Sequence, residues 1–112
     1  EGWLAVTYMD VIAGMESIGI PCVYHQWKGP PPLPYAVIMH DDNDDLMADN
    51  HNYLGIGNYR LELYTALKDP TTERKVENWL KAQRIPYGKS SPGFIDSEDM
   101  FQVVYDIQLI GG

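Results

Sequence analysis

Only two stretches of this chain, roughly 8–18 and 70–83, carry apolar residues at helical spacing, and most other apolar runs alternate with period two. That division implies an α+β fold, a sheet with only two helices to cover it. With 112 residues there is room for one core, so 1–112 reads as a single domain.

Thr7 is placed as N-cap of the first helix, with Asp10 in the capping-box position. Met9, Ile12 and Met15 recur along it, Val11 and Ile18 widen the stripe, and Gly19 suits the left-handed residue that ends it. Ala13-Gly14 either weakens the middle or permits close packing there. A strand is predicted over Cys22–Trp27, then a stiff extended connector over Gly29-Pro30-Pro31-Pro32-Leu33-Pro34. Tyr35–Met39 is apolar enough for a central strand. In Tyr59–Thr65, Tyr59, Leu61 and Leu63 oppose Arg60, Glu62 and Tyr64.

Asp69-Pro70 opens the second helix, Glu73 complements its dipole, and Val76, Trp79 and Leu80 form its buried stripe. Ile85-Pro86-Tyr87 begins another extended piece, Ser90-Ser91-Pro92-Gly93 reads as a turn, and Met100–Ile110 closes the chain as a strand. The expected order is α-β-β-β-α-β(-β). Short connections predict a mainly antiparallel sheet of four to five strands, with both helices on one face. Val11, Ile12, Met15, Val76, Trp79 and Leu80 are expected to pack on Leu61, Leu63, Val103 and Tyr105.

Eight basic against sixteen acidic residues leave a net charge of −8, which argues against gripping nucleic acid or an anionic membrane through a basic face. No apolar run is long enough for a membrane span, and no signal peptide is expected. The chain opens on Glu1 rather than Met, so a processed or truncated start is expected, in a protein that folds inside the cell. Cys22 is the single cysteine, which excludes an intrachain disulfide and a cysteine zinc cluster and suits a small core residue.

Five of the sixteen acidic residues (Asp41, Asp42, Asp44, Asp45, Asp49) fall within 41–49, which reads as a long solvated loop or hairpin arm. Asp41, Asn43 and Asp45 match the first ligand positions of a calcium loop. Leu46, however, stands where the sharp turn needs Gly, and Asn52 where a bidentate Glu belongs. His25, His40 and His51 lack zinc-site spacing, Gly55-Ile56-Gly57-Asn58 lacks the helix start that cradles phosphate, and no nucleophile elbow is present. No metal, cofactor or catalytic residue is therefore expected. Interaction features are stronger. Thirteen aromatics, eight of them Tyr, suit protein contacts, Tyr53 and Tyr64 among them. Leu46 and Met47 are apolar side chains that a purely solvating loop does not need, which makes them and neighbouring Asn50 candidates for docking.

The linear pattern resembles the small tail-terminator, or tail-completion, proteins of long non-contractile-tailed phages and prophages of Gram-positive bacteria. The resembling pieces are Asp10-Val11-Ile12, Ser17-Ile18-Gly19-Ile20-Pro21, Val23-Tyr24-His25, the prolines before Tyr35, Ala48-Asp49-Asn50, Leu61-Glu62-Leu63-Tyr64-Thr65, Lys68-Asp69-Pro70, Glu73, Ile85-Pro86-Tyr87 and Glu98-Asp99-Met100. They span nearly the whole chain in order, each short and none catalytic; His51 stands where the family more often carries Lys.

The resemblance implies a ring, a hexamer by preference, that caps the head-proximal end of the tail tube, ends its polymerisation and joins it to the head connector. Its partners would be other copies of itself, the tube protein and the connector, with DNA passing through the lumen unbound. Its place would be the virion tail, assembled in the host bacterial cytoplasm. The alternatives are a small metal-dependent enzyme or ion-binding protein using loop 41–49, and a neighbouring head–tail adaptor.

Overall fold

Thr7 starts the first helix as its capping pattern implies. Its hydroxyl accepts the Asp10 backbone N–H, and the Asp10 carboxylate accepts the Thr7 N–H at 2.9 Å, satisfying donors that a helix start leaves unpaired. The computed structural model describes residues 6–43 and 56–110, apart from the side chains of 42, 43 and 56. It runs α1 (Tyr8–Ser17), β1 (Cys22–Tyr24), β2 (Tyr35–Asn43), β3 (Ile56–Thr65), α2 (Pro70–Ala82), β4 (Tyr87–Ile95) and β5 (Met100–Ile110). One five-stranded sheet has the order β1-β2-β3-β5-β4.

Three of the four strand pairs are antiparallel, but β1 runs parallel to β2. Two local features explain this. His25 takes a left-handed backbone (φ 75°) and turns the chain out of the sheet, so β1 stops at Tyr24 rather than reaching Trp27. The proline-rich connector then leads back to the end where β1 began, and the Ala36 N–H donates to the Pro21 carbonyl at 2.8 Å. Retracing a three-residue strand covers only about 10 Å, which a stiff extended segment spans without a crossover helix.

The register places Ala36, Leu63 and Val103 in one row, and Ile38, Leu61 and Tyr105 in the next. Over these rows pack Val11 and Met15 of α1 with Val76 and Leu80 of α2, all fully buried. Both helices therefore cover one sheet face, and the expected core is formed. Met9 is the exception, 65% exposed; it lies about 200° around the helix from Val11. Ile12, Trp79 and Phe101 sit at the margin, partly buried against the core.

The two helices meet closely at Gly14, where a Cβ would collide with the Trp79 ring. Of the two readings of Ala13-Gly14, close packing is the one realised. Gly14→Ala should therefore destabilise the protein. Alanine gains roughly 1 kcal/mol in helix propensity, but displacing the indole costs about 1–3 kcal/mol. A melting temperature raised by this substitution would contradict the packing.

Two segments read from the sequence as loop, arm or turn hold strand. β2 continues through Asn43 and pairs antiparallel with β3, so of the two readings of 41–49 the hairpin arm, not the solvated loop, holds for Asp41 and Asp42. Asp42 pairs with Asn58 and Asn43 with Gly57, while a bulge lies between His40 and Asp42; the partner positions carry no charge to repel the carboxylates. Likewise Ser90–Gly93 is a bulge inside β4, not a turn. Pro92 is tolerated because β4 is an edge strand, and Gly93 absorbs the distortion at φ 106°. The real turn follows at 96–99 and includes Asp99 at φ 55°.

Candidate functional site

The sheet face turned away from the helices carries Tyr35, Tyr64 and Gln102 in one row, Val37, Glu62 and Val104 in the next, and Met39, Arg60 and Asp106 in a third. Alternation along β2, β3 and β5 puts them there, one residue out of phase with the core. The rings of Trp27, Tyr35 and Tyr64 form a chain with centroids 6.1 and 5.5 Å apart. The Trp27 indole N–H donates to the Ala36 carbonyl at 3.2 Å, which ties the connector to this face. Tyr64 donates its hydroxyl to Glu62 at 2.7 Å and accepts from the Gln102 amide at 3.0 Å. Arg60 lies 3.6 Å from the same Glu62 carboxylate. Burial and the bond to Glu62 raise the Tyr64 pKa, so its hydroxyl stays a donor at any physiological pH. Val37 and Val104 flank Glu62 and are only 7% and 2% exposed although no helix lies over them, so this face presents aromatic and charged groups above buried valines.

Of the residues singled out in the sequence, Tyr64 thus lies on the open face, in its first row. Asp41 is exposed at the end of that face. There it lines a depression of about 320 Å³ with Asn58, Asp106 and Gln108, beside the start of β4. Asp42 is placed by its backbone alone. Asp44, Asp45, Leu46, Met47, Asp49, Asn50 and Tyr53 lie outside the described residues. Among the described residues, no three His, Cys, Asp or Glu side chains converge as a metal site. Asp41 sits in a paired strand rather than at the head of a ligand-bearing turn. Millimolar calcium should leave the melting temperature unchanged; a rise of many degrees, abolished by changing Asp41 and Asp45, would contradict this.

Cys22 is buried in the core, and burial, with Glu16 nearby, pushes its thiol up to about 12. At neutral pH it is therefore a thiol with no nucleophilic character.

The sequence reading missed two features of the helix layer. Glu73 lies in the first turn of α2, as the dipole reading requires, and it is also 3% exposed and paired with Lys68 and Lys89, both at 2.9 Å. Lys89 also meets Glu77 at 2.6 Å, and Tyr105 donates its hydroxyl to Glu77 at 2.9 Å. This cluster joins α2 to β4 and β5. Its signal was long-range: nothing local marks Lys89, on another element, as the partner of Glu73. The second feature is a depression of about 450 Å³ between α2 and the end of α1, lined by Ile18, Lys75, Asn78 and the partly buried Trp79, beside the outer face of α2, where Arg74, Lys75, Asn78 and Lys81 are exposed opposite the buried stripe. No helix among the described residues is long and apolar enough to cross a membrane. No protein-family model matches this chain, and no curated protein matches it significantly.

Proposed function

We propose that this chain is a structural subunit of a phage tail, forming a ring that caps the head-proximal end of the tail tube, ends its polymerisation and joins it to the head connector. The order of short sequence pieces shared with tail-terminator proteins supports the reading, and one structural observation carries it furthest. The molecule presents several distinct surfaces suited to protein contact. The sheet face opposite the helices bears a Trp27–Tyr35–Tyr64 aromatic chain beside the Arg60–Glu62 pair, and protein interfaces are enriched in aromatic residues and Arg. A closed ring built head to tail needs two different contact surfaces per subunit, plus faces for the tube and the connector.

The sheet edges narrow how such contacts form. β1 is three residues long and ends at a left-handed His25; β4 carries Pro92 and a bulge. Both are the devices that prevent strand-to-strand addition. Copies would therefore join through side-chain surfaces, not by extending the sheet. The acidic end of β2, Asp41 and Asp42, suits a lumen through which DNA passes. Carboxylates repel phosphate, whereas a basic lining would release counterions and make passage adhesive. Removing the chain from the phage that encodes it should yield tails of unregulated length and heads without tails in electron micrographs. Normal virions would contradict the proposal.

A further inference from the structure

We propose that the depression between α1 and α2 is a socket for the acidic segment 44–49 of a second copy of this chain. This rests on the ring reading above and names the contact by which copies would join.

The charge of the molecule is segregated. Residues 68–89 hold six basic and three acidic side chains, a balance of +3, while the rest hold two basic and thirteen acidic, a balance of −11; the two sum to the net −8. Within 68–89 the acids are already engaged: Glu73 is buried between Lys68 and Lys89, Glu77 is paired with Lys89, and Asp69 caps α2 through Thr72. Arg74, Lys75, Lys81 and Arg84 are exposed, and among the described residues no ion pair within 4.0 Å holds any of them. The positive potential of α2 is therefore directed outward, on a molecule that is acidic elsewhere.

The depression lies along this basic face. Trp79 and Ile18 give it apolar surface, Lys75 and Asn78 give it a polar rim, and the indole is held in place by its close approach to Gly14. A partly exposed Trp beside cationic side chains is the composition of an interface anchor. Its occupant should carry apolar side chains flanked by carboxylates. Asp44-Asp45-Leu46-Met47-Ala48-Asp49 has that composition, with three apolar residues between acids on either side. A nucleic acid would meet the basic face too, but the −11 balance of the remaining surface opposes it. Socket and plug belong to different parts of the chain, the socket to the helix layer and the plug to the segment between β2 and β3. Copies can therefore add head to tail, the heterologous arrangement that becomes a ring where the rotation between neighbours closes.

Two variants with reversed charge test this, K75E on the socket and D44K/D45K on the plug, with mass measured by light scattering up to the highest soluble concentration. Each variant alone should lose the assembled species and run as a monomer with unchanged melting temperature. Mixed, they should regain it, because each supplies the complement of the other. Wild type and both variants assembling alike would overturn the socket and leave the ring reading intact. A mixture that stays monomeric would overturn it too. If the variants lose melting temperature but not mass, the segment occupies the groove of its own chain and the intermolecular contact is wrong. A wild-type protein that is monomeric throughout overturns both readings.

Discussion

Leu80→Ala should cost the fold about 2–5 kcal/mol, a large share of the marginal stability of a domain this size. Leu80 is fully buried on α2, in the cluster where both helices meet the central strands β3 and β5. Truncation there removes the transfer free energy of the lost carbons and leaves a cavity with little room to collapse, because Val76, Leu61 and Tyr105 in the same cluster are themselves fully buried. Urea denaturation should show a lower midpoint with the slope unchanged. Wild-type-like denaturation would mean that α2 does not rest on the sheet through this residue.

Lys89→Met should be the next most damaging change, and its cost should depend on pH. For Glu73, burial opposes ionisation, but the hydrogen bonds from Lys68 and Lys89 outweigh it and hold the carboxyl below its ordinary value of 4.5. Glu77 is lowered in the same way, with burial outweighed by the bonds from Lys89 and Tyr105. The bonds to Glu77 and Glu73 in turn raise Lys89 above its ordinary 10.5. The signs follow by linkage. Carboxyls depressed in the fold contribute stability that is complete above their ordinary value and is lost as pH falls through the folded ones. A raised lysine contributes stability that is complete below its ordinary value and is lost as pH rises through the folded one. The cluster is therefore intact across the neutral range and fails on both sides.

Removing the ammonium leaves Glu77 with the Tyr105 hydroxyl and the charge of Lys81, and leaves Glu73 with Lys68. Because Lys89 keeps 34% exposure, solvent screens part of the interaction. A loss of about 1–3 kcal/mol at neutral pH is expected, short of that for a wholly buried pair. Below the folded pKa values of Glu73 and Glu77 the difference between wild type and variant should shrink toward that of the methylene packing alone. An equal difference at neutral and acid pH would show that Lys89 acts by packing and not by charge.

Local patterns in the sequence determined the elements more fully than their pairing. Thr7 with Asp10, Asp69 with Pro70, and the alternation of 59–65 and 100–110 carry their structure in neighbouring side chains, and all are realised. The parallel β1–β2 pair was not legible, because it depends on the backbone of His25 and on where the proline segment delivers the chain. The charge of 41–49 leaves a solvated loop and a hairpin arm both open, and the choice rests on the partner strand, which sets uncharged Asn58 opposite Asp42. The same limit applies to the surfaces. Tyr64 could be named from β3 alone, whereas its ring chain with Tyr35 and Trp27, and the meeting of Trp79 with Ile18 and Gly14, join elements far apart in sequence.

The central claim, that this chain works as a ring subunit through its surfaces, is tested most directly by the mass of the purified protein in solution, measured by size-exclusion chromatography with light scattering over a wide concentration range. The account predicts one closed species at a fixed multiple of 12.7 kDa, six by the resemblance to tail terminators, and no continuing series of larger ones. A strict 12.7 kDa monomer at every concentration, showing no self-association, would contradict it.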